Sequence, residues 1–265
     1  METRAERLQA LVLRTLAYGD SDVIVHLLVK GRGKVAAFAR GARNSQKRFG
    51  GALEPFQLAE VMLHERAGQE LWTLREARVI EPHAKLREDL LRIAHAGYAT
   101  ELTHELTRAA EPADELLALL LDFLRLLSLG AATSARLRAF ELGALACAGF
   151  TPELHACARC GAEVPPGRVS FDPAAGGVVC GRCAEAASLL LTVGARAALE
   201  QLQSGGLAAA EAPTSADGSG RPADSRGFEE ACAQAARPLS AFLQYQLGGR
   251  TLRSRDFAAQ VGAPP

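Results

Sequence analysis

The sequence predicts a multi-domain α+β fold: a small N-terminal β-barrel, then an all-α helical domain with an embedded four-cysteine module. Three observations carry this. The first eighty residues hold five short runs of strand character, and from Pro82 onward the apolar residues recur at helical spacing. Between residues 151 and 188 two Cys-x-x-Cys pairs interrupt the helical pattern. At 265 residues, 48% hydrophobic and 23% charged, the chain is long enough to give each part a core.

The strand candidates are Leu11 to Thr15, Val23 to Val29, Val35 to Ala39, Phe56 to His64 and Leu71 to Ile80. Gly31-Arg32-Gly33 reads as a turn, and Gly68-Gln69 as a hairpin connection between the last two runs. Five short strands within about eighty residues suit a closed barrel of the OB or SH3 type, which strand pattern does not separate. Residues 1–80 form this domain.

Beyond Pro82, Leu86, Leu90, Ile93, Ala94, Tyr98, Leu102 and Leu106 mark one face of a long helix. Pro112 precedes a second helix, Asp114 to Leu129, which is leucine-rich nearly all round and reads as the buried centre of a bundle. Thr133 or Ser134 caps a third helix that runs to about Cys147 and ends at Gly149. Helical spacing returns at Thr192 to Gln203 and from Phe228 to Leu247, the last kinked or split at Pro238 and stopped by Gly248-Gly249. The helical domain is therefore expected over 81–150 and 189–265, with the cysteine module inserted at 151–188. Residues 204–226, dominated by Gly, Ala, Ser, Pro and Asp, read as a flexible surface loop.

Cys157-Ala-Arg-Cys160 and Cys180-Gly-Arg-Cys183 give the spacing C-x₂-C-x₁₉-C-x₂-C. Each pair lets two thiolates reach one ion through a tight turn, and two such turns complete a tetrahedral shell, so one structural Zn²⁺ is expected. A redox Cys-x-x-Cys would need one pair on a thioredoxin-like βαβ unit, which is not visible; a cysteine cluster without metal is the other alternative. Four thiolates leave no open position for water, which argues against metal catalysis. Cys147 and Cys232 lie in helical patterns and read as buried apolar groups, and His155 as a surface residue.

The formal net charge is zero, yet residues 1–80 hold thirteen Lys/Arg against nine Asp/Glu. From Lys30 to Arg48 the charged residues are Lys30, Arg32, Lys34, Arg40, Arg43, Lys47 and Arg48, with no acid among them. Such a run, read as a flexible loop beside a barrel groove, suits a phosphate backbone; the alternative is a solvated charged loop. Phe38 and Phe49 are either stacking surfaces or core residues, and core is the favoured reading for Phe38. No G-x-x-x-x-G-K-[ST], G-x-S-x-G or H-E-x-x-H occurs, so no catalytic residue is assigned and an enzyme is not expected. With no run of eighteen apolar residues and a charged segment from Met1 to Gln9, neither a membrane span nor a signal peptide is expected, and the cytoplasm is the expected compartment.

Three stretches of the barrel half stand out: Leu13-Arg-Thr-Leu-Ala-Tyr-Gly-Asp-Ser-Asp22, Gly33-Lys-Val-Ala-Ala-Phe-Ala-Arg-Gly-Ala-Arg43 and Phe49-Gly-Gly-Ala-Leu-Glu-Pro-Phe56. With them go Ser170-Phe-Asp172 and Gly176-Gly-Val-Val-Cys180 of the cysteine module, and Leu247-Gly-Gly-Arg-Thr-Leu-Arg-Ser-Arg255. In these stretches the chain resembles the RecO recombination mediator family of bacterial DNA repair. The resemblance implies an OB-fold, a helical domain with an embedded zinc site, and binding of both ssDNA and dsDNA. It further implies strand annealing, partnership with RecR and the tail of single-stranded DNA-binding protein (SSB), and indirect help to RecA in the RecFOR pathway, at the nucleoid. Lys34, Arg40 and Arg43 match its basic positions, while Arg125, Arg136 and Arg138 are candidates for the SSB tail as cations beside apolar helices. A zinc-ribbon adaptor acting only through protein contacts is the competing function, and an accessory of a nuclease or ligase a third.

Overall fold

The computed structural model describes residues 5–65, 70–211 and 224–261, arranged as two compact units. The first unit comprises residues 1–89 and 100–129, and the second residues 90–99 and 130–265.

In the first unit, β1 (Ala5–Tyr18), β2 (Asp22–Val29), β3 (Gly33–Ala39), β4 (Leu58–His64) and β5 (Leu71–Glu81) close a barrel in the order β1-β2-β3-β5-β4. β1 is shared. Its first half pairs antiparallel with β4, Ala5 opposite His64, and its second half with β2, Tyr18 opposite Asp22. The register slips between Val12 and Arg14, the bulge that lets one strand serve two neighbours. A parallel seam of β3 and β5, Ala36 to Phe38 beside Leu71 to Thr73, completes the ring. This closed order is that of the OB-fold, which settles the barrel type. Gly68-Gln69, expected to turn between β4 and β5, lies outside the described residues.

Alternation fills the barrel: Ala10, Val12, Val25, Leu27, Val35, Ala37, Val61, Leu63 and Leu74 point inward with exposures of 4% or less. Phe49, Ala52 and Leu53 join this cluster from the segment between β3 and β4, which contains the short helix α1 (Gln46–Phe49). Gly33 is required where it stands. Its φ is +71°, and a Cβ there would lie 1.7 Å from the Glu111 carbonyl oxygen.

Helix α2 (Leu90–Leu106) gives its first ten residues to the second unit and the rest to the first. Helix α3 (Asp114–Leu129) belongs with the barrel unit. It is not the buried centre of a bundle: Leu116, Leu117, Leu120, Phe123, Leu124 and Leu127 bury one face, while Ala118, Asp122, Arg125 and Leu129 are exposed. The helix buried on every side is α4 (Ser134–Cys147), where even Arg138 and Glu141 are inside. Thr133 caps it, its side chain accepting from the Arg136 N–H.

In the second unit α4 packs on α5 (Val193–Glu211) and α6 (Ser225–Gln234). Residues 204–211 are helical, not loop: α5 bends at Gly206 and resumes through the helix-favouring run Leu207-Ala-Ala-Ala210. Asp224 caps α6 and Ser225-Arg226 open it, so the expected loop end is also helix; residues 212–223 lie outside the described residues. The terminal helix is split, α7 (Ala236–Gln246) following α6, with Pro238 in a first turn where a missing N–H is tolerated. Helix α8 (Arg253–Gln260) packs Ala258 against Ala94 of α2. The cysteine module adds β6 (Val169–Asp172), β7 (Gly177–Val179) and β8 (Leu189–Leu191) in the order β7-β6-β8. Phe171 meets Phe242 of α7 edge to face at 6.1 Å, and the Arg196 guanidinium of α5 donates to the carbonyls of Pro165 and Val164.

Candidate nucleic-acid face and metal centre

Strand β3 divides the seven cations of the basic stretch. Lys30, Arg32 and Lys34 surround its start; Arg40, Arg43, Lys47 and Arg48 follow its end, roughly 20 Å away at the strand rise of about 3.3 Å per residue. The second group does not ride on an unstructured loop. A 3₁₀ turn (Ala42–Asn44) and α1 fold it: Arg48 donates to Ser45 Oγ and the Arg40 carbonyl, and Arg43 donates to the Asp20 carbonyl. Asp22 Oδ1 accepts the Gly41 N–H at 2.6 Å and pins the entry to this turn. Lys30, Arg40, Arg43, Lys47 and Arg48 are exposed.

At the other end the cations are less available. Arg32 pairs with Glu6 at 2.8 Å, and the Lys34 ammonium donates to the His104 carbonyl at 2.6 Å. His26 Nδ1 and His104 Nε2 face each other at 3.3 Å. Burial, then the neighbouring His104, Arg14 and Lys34, hold the His26 imidazole below its usual range. Burial and Lys34 do the same to His104, against the opposing effect of Glu105, whose carboxylate accepts from the ring.

Between these groups runs an apolar strip. Leu16 lies opposite Ile24 and Ile24 opposite Phe38, so all three share the outer face of β1, β2 and β3. Tyr18, 57% exposed, meets Phe38 edge to face with ring centroids 5.7 Å apart. Arg14, opposite His26, is exposed on the same face. Phe38 thus lies half-buried on the outer face and Phe49 in the core, with the Arg48 guanidinium 5.0 Å above the Phe49 ring. Sequence reasoning passed over Tyr18 and Arg14; the signal available was the alternation of β1 beyond its bulge.

The four module cysteines converge. Their sulfurs lie within 4.8 Å of one another, and Cys160 Sγ is 3.8 Å from Cys180 Sγ. A tetrahedral ion with bonds of about 2.3 Å to sulfur needs sulfurs about 3.8 Å apart, so the four can hold one metal ion. The Cys180 N–H donates to Cys157 Sγ at 3.3 Å; it and the Cys160 and Arg159 amides push the Cys157 thiol down to about 6. Cys183, surrounded by the Cys160 and Cys180 thiols, is pushed up to about 12. His155 stands outside the cluster, exposed, with Nδ1 3.6 Å from Glu200. Of the other cysteines Cys232 is buried as expected, while Cys147 is exposed at the end of α4.

Of the three cations proposed to hold an acidic tail, Arg138 is sealed inside the second unit. It pairs with Glu141 at 3.1 Å, and Glu141 accepts the Tyr98 hydroxyl at 2.6 Å. Burial pushes the Glu141 carboxyl up, in spite of Arg138 beside it. Arg136 pairs with Glu211, and Arg125 with Glu81 and Asp122.

Fold and sites together define a two-unit OB-barrel protein with an embedded four-cysteine module that could hold a metal ion. No helix among the described residues is long and apolar enough to cross a membrane. Residues 1–83 match the model for "Recombination protein O N terminal", and residues 87–256 that for "Recombination protein O C terminal". A DNA repair protein RecO of Anaeromyxobacter sp. (strain K) is 48% identical over 258 residues, covering 97% of this chain and 96% of that protein. One from Myxococcus xanthus is 42% identical over 255 residues, covering 96% of each. The chain belongs to the RecO family of DNA repair proteins.

Proposed function

We propose that this chain is a non-catalytic recombination mediator that binds ssDNA and dsDNA and anneals complementary strands. The observation that carries the proposal is the outer barrel face, an apolar strip with the exposed Tyr18 and the half-buried Phe38 between two groups of cations. Bases stack on Tyr18 and Phe38 while phosphates meet Arg14 at one end and Arg40, Arg43, Lys47 and Arg48 at the other. Lys30, Arg32 and Lys34 contribute field more than direct contact, because Arg32 and Lys34 already hold partners. Annealing needs no covalent step. It needs two phosphate backbones neutralised close together, with counterion release supplying much of the affinity.

In this reading residues 1–80 are the DNA-binding domain, 81–150 and 189–265 the helical domain, and 151–188 the metal module. The ion is Zn²⁺, favoured by four thiolates in tetrahedral spacing, and its closed shell makes it structural. The partners are RecR and the SSB tail, and RecA is served indirectly, in the cytoplasm at the nucleoid.

The test is binding and annealing of a fluorescent oligothymidylate and its complement by the Tyr18→Ala/Phe38→Ala variant. Loss of stacking for one base costs about 1–3 kcal/mol, so affinity is expected to fall at least about fivefold. Unchanged affinity and annealing in the folded variant would refute this placement.

A further inference from the structure

We infer that Arg159 is the positioning residue that sets how long the four-cysteine centre retains its metal. This goes beyond the zinc assignment and rests on it. Arg159 precedes Cys160 within the first Cys-x-x-Cys turn, yet its side chain reaches away from that turn in two directions. Nε and Nη2 donate to Asp172 Oδ2 at 3.0 and 2.7 Å, and Nη1 donates to Glu185 Oε1. Asp172 ends β6 and is 6% exposed, with Oδ1 accepting the N–H groups of Ala174 and Ala175 at 2.9 and 3.2 Å. It is a fixed anchor. Glu185 lies two residues beyond Cys183 and belongs to the second turn.

One guanidinium therefore ties the first cysteine turn to the module's sheet and to the second turn, without using the metal. The two turns are alike in sequence, Cys-Ala-Arg-Cys and Cys-Gly-Arg-Cys, but Arg182, which matches Arg159, is exposed. Metal leaves such a site when one turn swings outward, a thiolate dissociates, and water or a competing ligand takes its place on the ion. A brace between the turns opposes that motion, and it holds the sulfurs at bonding distance before the ion arrives. The brace depends on the planar fork of arginine, which engages two carboxylates at once; a lysine ammonium keeps the charge and loses the fork.

The experiment follows zinc release from the full chain into an excess of a chromogenic chelator, for wild type, Arg159→Ala, Arg159→Lys, Glu185→Ala and Arg182→Ala. Cobalt(II)-loaded samples report the coordination geometry by their absorption bands. Arg159→Ala and Arg159→Lys are expected to release zinc about 10–100-fold faster than wild type. Glu185→Ala, whose side chain is exposed, is expected to show a smaller acceleration, and Arg182→Ala the wild-type rate. Wild-type rates for both Arg159 variants overturn the inference. If Arg159→Ala does not fold, Glu185→Ala decides, and a wild-type rate from it overturns the inference. Absence of tetrahedral thiolate bands from wild-type protein with cobalt overturns the zinc assignment and this inference together.

Discussion

Replacing Arg40, Arg43 and Lys47 with alanine removes three exposed cations from one end of the barrel face and leaves the barrel core untouched. Arg48 is left in place because it makes two short hydrogen bonds within the turn, to the Arg40 carbonyl and Ser45 Oγ, whereas Arg43 gives up one longer bond, 3.3 Å to the Asp20 carbonyl. Each phosphate neutralised on a single strand adds about 0.7 to the slope of log K against log salt, so three lost contacts flatten the slope by about 2. Between 50 and 200 mM salt that difference changes the ratio of wild-type to variant affinity by about 20-fold, the variant being most handicapped at low salt. Fluorescence anisotropy with a labelled oligothymidylate across this salt range measures both slopes. Parallel lines with equal intercepts would refute the assignment of this turn to the phosphate backbone. Parallel lines with a uniform deficit would mean that the turn acts through structure.

Phe49→Ala empties the plug of the barrel and is expected to cost about 3–5 kcal/mol, read as a fall in the melting midpoint of the first unit. His26, His83 and His104 are all held below the usual histidine range, chiefly by burial. Their neutral forms favour the folded state, so this contribution is complete above the unfolded histidine value of about 6.5 and is lost as pH falls through the lowered folded values. The first unit should therefore destabilise on acidification over that window, and a His26→Gln/His104→Gln variant should flatten the melting-midpoint profile. Chelation of the metal should lower the melting midpoint of the second unit before oligothymidylate affinity changes; parallel loss of both would contradict a purely structural ion.

Much of this architecture is legible in the residues because alternation and turn chemistry act locally. The five strand runs, a cap at Thr133 or Ser134 and the stops at Gly149 and Gly248-Gly249 follow from spacing alone. The cysteine cluster is legible because its four members are named by their type and interval. What escaped depends on contacts distant in sequence. Lys34 reads as a free cation until the end of α2 supplies a carbonyl for it, 70 positions later. Tyr18 and Arg14 face the strip because β1 slips its register after Val12, a shift that composition does not announce. Helix α4 looks too polar for a core helix, but Arg138 and Glu141 neutralise each other and enter together. The leucines of α3, in contrast, exceed what one buried face requires, and Leu129 remains 80% exposed.

The short parallel seam between β3 and β5 has a consequence for the order in which the barrel is made. As the chain is synthesised, β1, β2 and β3 can pair as a meander while residues 71–73 are still to come. Until they arrive β3 is an open edge of Val, Ala and Phe, the kind of strand that recruits another chain. Lys34 and Arg40 stand at its two ends, and like charge on a neighbouring nascent copy repels the approach. Two cations of the proposed DNA-binding set thus guard the unfinished barrel against aggregation.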